Sequence, residues 1–318
     1  MTARCAVMSE LDELLQAFGV AGGDRSVLEN RNVAHMVVVG HKILSARDVE
    51  GLEVEAHVSR DGITARVRVR EGVKIDQPVH MCFGVVHKRG SQRIRMNVRM
   101  EENSSARFVA HCLFPNAEHV RHIMDANVEV GKHADMHYTE SHFHGPYGGI
   151  VVVPKARIVI GENGRYFSDF TLTTGRVGKL DIDYTVEAGK NSVAELTARV
   201  FGHGNDRINI RESVSLVGEN ARGLIKTRIA LEHEASAEVT GITEGKAPGA
   251  RGHVDCMEII KDQAVAKAIP IVYVTDSLAK VTHEAAIGSV DKRQMETLMS
   301  HGLTPEEAVD VIVKGMLR

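Results

Sequence analysis

A turn signature recurs at nearly even intervals through the middle of this chain, and that recurrence limits the fold more than any other feature. Glu101-Glu102-Asn103-Ser104, Gly131-Lys132-His133-Ala134, Gly161-Glu162-Asn163-Gly164, Gly189-Lys190-Asn191-Ser192 and Gly218-Glu219-Asn220-Ala221 share a loose Gly–charged–Asn–small pattern. Their first residues are spaced 30, 30, 28 and 29 apart. Ala247-Pro248-Gly249 supplies another turn one interval on. Between the turns lie strand-like stretches: Ala156–Ile160, Phe167–Thr171, Leu180–Val186, Val193–Val200, Ile208–Leu216 and Ala237–Ile242. One such unit is too small to bury both of its faces. Stacked units supply backbone partners above and below, ~4.8 Å per layer, and one continuous aliphatic core. Gly and Asn fall where corners need left-handed backbone. A β-sandwich also has strands punctuated by turns, but sustained spacing over five units favours a solenoid, specifically a β-helix with a repeat of about 29 residues. The fold class is therefore mainly β, with short helical modules at both ends.

The ends break the period. Ser9 caps a helix whose stripe is Leu11, Leu14, Leu15 and Phe18, with Gly19 as its stop, and a second helical stretch is expected over Asp24–His35. Asp291–Ser300 reads as a helix ended by Gly302, and Thr304-Pro305-Glu306-Glu307 opens another with a cap, a first-turn proline and a capping-box acid. The expected division is a helical segment over 1–36, a β-helix core over 37–289 and a helical module over 290–318. That last module either closes the end of the solenoid or offers a docking surface.

Composition excludes several classes. A net charge of −3 argues against a nucleic-acid or membrane-surface binder. Four cysteines (Cys5, Cys82, Cys112, Cys256) in 318 residues are too few and scattered for a secreted disulfide framework. No apolar run reaches the ~18 residues that span a bilayer, and the N-terminus lacks a signal-peptide stretch. The expectation is a reduced cytoplasmic protein. No phosphate-binding loop motif is present, so nucleotide chemistry must come from another chain.

Cys256 and His283 are separated by close to one period, so adjacent layers would bring a thiol and an imidazole to one place. His253, Asp255 and Glu258 flank the thiol, and Glu284 follows the imidazole. In a strand Cys256 and Glu258 share a face and Asp255 takes the other. A thiolate suits an iron–sulfur cluster or zinc, whereas the competing reading is packing alone, with Cys256 buried and His283 hydrogen-bonded. Cys82, Cys112 and His142 form a second ladder spaced 30 and 30, thickened by His80, His111 and His144. A column of small buried residues inside the solenoid is the stronger explanation. His133, His137, His142 and His144 look metal-like, but a turn separates the pairs and surface histidines are the default.

The segments Val281-Thr282-His283-Glu284-Ala285-Ala286-Ile287-Gly288-Ser289-Val290-Asp291-Lys292 and Leu298-Met299-Ser300-His301-Gly302-Leu303-Thr304-Pro305-Glu306-Glu307-Ala308 resemble the SufB/SufD family of iron–sulfur cluster scaffolds, over roughly residues 100–318 and in a compact archaeal-type form. The resemblance implies a right-handed β-helix and a non-catalytic scaffold that builds a cluster and passes it to apo-proteins. It implies a SufC-type ABC ATPase docked on the C-terminal helices, here through Met295, Leu298, Met299 and Leu303. It also implies chains paired through late β-helix strands, with the cluster forming at that pairing. Cys256 matches a SufB-type cysteine, and His283 with Glu284 matches the His–Glu pair; carrying both, this chain is expected to act as a homodimer. His253, Asp255, Glu258 and Cys112 are further candidate ligands or relay groups. The cluster is [4Fe-4S] or [2Fe-2S]. One departure stands out: the family's sulfur-accepting cysteine falls near Glu129, with no cysteine between Cys112 and Cys256. Cys112, or direct delivery of sulfide, would replace relay from a cysteine desulfurase or other sulfur donor. The rival readings are a β-helix hydrolase or lyase acting on polysaccharide and a plain structural solenoid. The absence of Trp and a total of five Tyr argue against a sugar-binding groove.

Overall fold

The computed structural model describes residues 9–24, 26–59 and 62–317; Cys5 lies outside them. The chain forms a β-solenoid of about 8 turns. Its coils are flattened between two sheets, each full turn contributing one strand to each. The first sheet contains β1 (His35–Val39), β2 (Lys42–Arg47), β5 (Val79–Gly84), β7 (Ser105–Phe114), β9 (Asp135–His144), β11 (Arg165–Thr174), β13 (Val193–Gly202), β15 (Arg222–Leu231), β17 (Arg251–Ile260) and β19 (Lys280–Gly288). The second contains β3 (Leu52–Ser59), β4 (Gly62–Val69), β6 (Arg89–Met100), β8 (His119–Val130), β10 (Ile150–Ile160), β12 (Gly178–Ala188), β14 (Arg207–Leu216), β16 (Ser236–Gly245) and β18 (Val265–Val274). From β4 and β5 onward every strand pairs in parallel with the strand one turn away.

Alternation drives the coil. In β12 Leu180, Ile182, Tyr184, Val186 and Ala188 are all buried, and they register on Ile208, Ile210, Glu212, Val214 and Leu216 of β14. Every second residue thus enters one core running the length of the solenoid, each large aliphatic side chain stabilising it by ~1.5–3 kcal/mol. The expected corners are the observed ones. Asn103, His133, Asn163, Asn191 and Asn220 have φ between 54° and 59°. Their amides form their own ladder along one edge, Asn163 N–H donating to Lys190 O at 2.8 Å and Asn191 N–H to Glu219 O at 2.8 Å. A second corner ladder, Gly204, His233 and Asp262, also has positive φ; only its residue types are less uniform.

The two ends differ. At the first, antiparallel hairpins β1–β2 and β3–β4 close the sheets, with Arg68 paired to Glu53 and Glu101. Helix α1 (Glu10–Val20), capped by Ser9, lays Leu14, Ala17 and Phe18 on the outer face of the first sheet against Val37, Val39 and Cys82. The second helix, α2, is one turn, Ser26–Glu29, not the longer stretch expected, because β1 already begins at His35. At the other end nothing comparable among the described residues covers the last rung: Val265, Ile271, Val272, Tyr273 and Val274 of β18 and Ile287 of β19 are exposed. Helices α3 (Lys292–Ser300) and α4 (Pro305–Met316) do not close that end. Instead Val313 and Leu317 join Ala230, with Phe201 and Ile259, on the outer face of the first sheet. No helix among the described residues is long and apolar enough to cross a membrane.

Candidate functional site

The thiol-bearing and imidazole-bearing strands are neighbours: β17 pairs in parallel with β19. The register is offset by two residues. Val254 stands opposite His283, and Cys256 opposite Ala285. Both side chains belong to the inward face, on a diagonal that separates their Cα atoms by ~8 Å. Cys256 is 1% exposed, one rung inside the open end, whereas His283 is exposed on the last rung itself.

The flanking candidates divide by face. Glu258 points inward with Cys256 and is buried, and neither carboxylate oxygen has a partner. Burial pushes its carboxyl up to about 7. Burial likewise pushes the Cys256 thiol up to about 11. Cys256 is therefore a neutral thiol at pH 7 until a cation displaces its proton. Asp255 points outward and is engaged by Arg228, whose Nη1 donates to Oδ1 at 2.9 Å; that guanidinium holds the Asp255 carboxyl below its usual range. His253 is also on the outer face, its Nδ1 2.8 Å from Thr282 Oγ1. Glu284 registers beside Asp255 on that same face. Cys256, Glu258 and His283 thus share the inward face, Cys256 between the other two, with His283 four residues from the register partner of Glu258, ~14 Å away; His253, Asp255 and Glu284 lie on the outer face.

Two groups at this end escaped the sequence reading. Thr227 is the register neighbour of Cys256 on β15, fully buried with its hydroxyl unpaired. Glu212 of β14 faces the same interior with Oε2 unpartnered, and burial pushes its carboxyl up to about 8. Its signal was a glutamate at a core parity, between Ile210 and Val214, on an otherwise aliphatic strand face. Among the docking candidates, Met295, Leu298 and Leu303 are half-buried and Met299 is exposed. Beside them a groove runs between β19 and α4, lined by Arg228, Glu258, Ile287, Ile312 and Met316.

Cys112 lies far from this end, on the inward face of β7. It registers on His142, as their separation of one period requires. Cys82 does not join that column. It registers on His111 and faces α1, because the step from β5 to β7 is one residue shorter than the step from β7 to β9. The four-histidine cluster does not assemble either. His133 sits at a corner and His137 stacks outward on Phe167, leaving His142 and His144 together inside. The residues that do meet Cys112, Glu140 and His122, were absent from the sequence reading. The alternation Glu140-Ser141-His142-Phe143-His144 in β9, which sends Glu140, His142 and His144 inward, was the available signal.

Residues 85–316 match the family described as SUF system FeS cluster assembly, SufBD core domain. An iron–sulfur cluster assembly SufBD family protein of Methanocaldococcus jannaschii is 39% identical over 312 residues, 98% of this chain and 99% of that protein. One from Pyrococcus horikoshii is 32% identical over 317 residues, 100% of this chain and 96% of that protein. A second SufBD family protein of the same organism is 26% identical over 253 residues, 78% of this chain and 56% of that protein.

Proposed function

The chain belongs to the SufBD family of iron–sulfur cluster assembly proteins, and from that premise we propose that it is a non-catalytic scaffold that builds a nascent cluster at its open end. The observation that carries this reading is the pairing of an uncovered terminal rung with an inward thiol and a carboxylate lacking any hydrogen-bond partner. A buried ionisable group without a partner costs stability. Its retention beside Cys256 is understandable where iron completes the site. Cys256 supplies a thiolate, Glu258 an oxygen and His283 an imidazole. Glu284, on the outer face of the same strand, would bind from the partner-facing side. Mixed sulfur, nitrogen and oxygen ligation holds a cluster less firmly than the four thiolates of a resident centre, which suits cargo that must leave.

The exposed rung also suggests its own cover. β18 and β19 carry free backbone edges and exposed valine, isoleucine and tyrosine side chains, and an uncovered apolar edge pairs readily with another chain. A second copy joined there would place two sets of site residues across one interface. A SufC-type ABC ATPase docked on Met295, Leu298, Met299 and Leu303 would shift the helical modules and so the gap between copies. Sulfur would arrive from a cysteine desulfurase or as sulfide, in the reducing compartment that free thiols require.

The test is cluster transfer. Wild-type protein loaded anaerobically with iron and sulfide should activate an apo iron–sulfur enzyme in the presence of a chelator. Val274→Lys, which places a charge on the open rung, should yield a monomer that holds no transferable cluster. A monomeric Val274→Lys protein that transfers as well as wild type would overturn the reading.

A further inference from the structure

The middle of the solenoid contains a second constellation that the terminal site does not use. On β7 and β9, Cys112 and His142 are register partners. Glu140 precedes His142 by two residues and shares its inward face, and His122 enters from β8 in the opposite sheet. All four are buried. Cys112 Sγ lies 3.8 Å from His122 Nε2 and 3.8 Å from Glu140 Oε1, and Glu140 Oε1 lies 2.7 Å from His142 Nε2. The donor atoms of Cys112, Glu140 and His142 all fall within 4.8 Å of one another.

We propose that Cys112, Glu140, His142 and His122 form a binding site for one divalent first-row transition-metal ion, of the zinc(II) or iron(II) type, inside the solenoid. The distances fit. Tetrahedral coordination at zinc bond lengths separates sulfur from nitrogen or oxygen by about 3.5 Å and nitrogen from oxygen by about 3.3 Å. The two 3.8 Å contacts need only close slightly, and the Glu140–His142 contact needs to open by about half an ångström. The charge fits as well. One thiolate and one carboxylate neutralise a dication, leaving no net charge in an apolar interior. Binding forms the metal–sulfur bond and releases the thiol proton to solvent, with no change in oxidation state.

The surroundings hold the four groups in place. Tyr138 Oη donates to Glu140 Oε2 at 2.9 Å, which leaves Oε1 to face the metal position. His144 Nε2 lies 3.1 Å from His142 Nδ1, orienting that ring, and His144 Nδ1 is anchored 3.2 Å from Arg176 O. His122 Nδ1 has no partner at all, although it is buried. A small, mostly apolar cavity of about 30 Å³ adjoins Glu140 and Tyr138. Beside it the β10–β12 ladder skips two positions. Val152 and Lys155 of β10 pair with β12, but Val153 and Pro154 between them do not, since proline has no N–H to give the ladder. The site is separate from the terminal one: four strand spacings, ~19 Å, part Glu140 from Cys256, with Phe170, Ala198 and Thr227 stacked between.

Cobalt(II) is a direct probe, because a cobalt–thiolate bond gives a charge-transfer absorption. The titration is made anaerobically, without sulfide, on Cys256→Ser protein so that the terminal thiol cannot contribute. One cobalt per chain with that absorption is expected, displaced by zinc(II). Adding Cys112→Ser should abolish the band, and Tyr138→Phe or His144→Ala should weaken binding about 10–100-fold while the circular dichroism is kept. Should Cys112→Ser not fold, Glu140→Gln, also made in the Cys256→Ser protein, answers instead through zinc-dependent thermal stabilisation, which the Cys256→Ser parent should show and the double variant should lack. No thiolate band in the Cys256→Ser protein, or a band indifferent to Cys112→Ser, overturns the proposal. Zinc stabilising the Glu140→Gln double variant as much as its Cys256→Ser parent overturns it equally.

Discussion

Glu212 and Glu258 are the residues whose chemistry the fold alters most visibly. Both carboxyls are held among aliphatic side chains, and burial raises them to about 8 and about 7, above the ~4.3 of an unfolded glutamate. The folded state therefore keeps protons that the unfolded state gives up. This contribution to stability is fully present below about pH 4 and is lost as the pH rises toward about 8. Glu212→Gln should flatten that slope, gaining on the order of 3–4 kcal/mol over wild type between pH 5 and pH 8. Urea unfolding at the two pH values measures it, and equal slopes for both proteins would contradict the burial argument. Cys256 and Glu258 were legible in the sequence as one face of one strand. The lack of a partner for the Glu258 carboxylate was not, since it depends on which side chains from β14 and β15 reach the same interior.

At the level of elements, the corner is the unit that sets the coil. Asn163 holds φ at 57° and passes its amide to Lys190 on the next turn, a conformation that costs a side chain branched at Cβ ~1–2 kcal/mol. Asn163→Val should lower stability by about that amount, while Asn163→Gly should change it by a few tenths; both are read from urea midpoints. Equal losses in the two variants would mean that the asparagine side chain, not its backbone, fixes the turn. These corners explain why the fold was readable: a Gly–charged–Asn–small turn at each period is a backbone requirement written into residue types. The opposite corners at Gly204, His233 and Asp262 went unread because three unlike residues meet the same requirement. The phase error at Cys82 has the same origin. Between β5 and β7 the coil advances by one residue less than the spacing of Cys82 and Cys112, and that slip moves the Cys82 side chain from the core to the outer face.

The whole molecule is a solenoid finished at one end and unfinished at the other. Hairpins and charged pairs close the first end, whereas the last rung exposes apolar side chains on both of its faces. That asymmetry could not be read from periodicity, because β18 and β19 follow the same alternation as the rungs before them. It explains why the helices at the C-terminus, expected either to close the solenoid or to dock a partner, lie along the outer face of the first sheet and leave the end free. The most direct measurement is the iron and acid-labile sulfide held per chain after anaerobic reconstitution, with wild type beside Cys256→Ser and Cys112→Ser. Cys256→Ser should lose the cluster while Cys112→Ser retains it. A Cys256→Ser protein that binds as much iron and sulfide as wild type would contradict assembly at the open end.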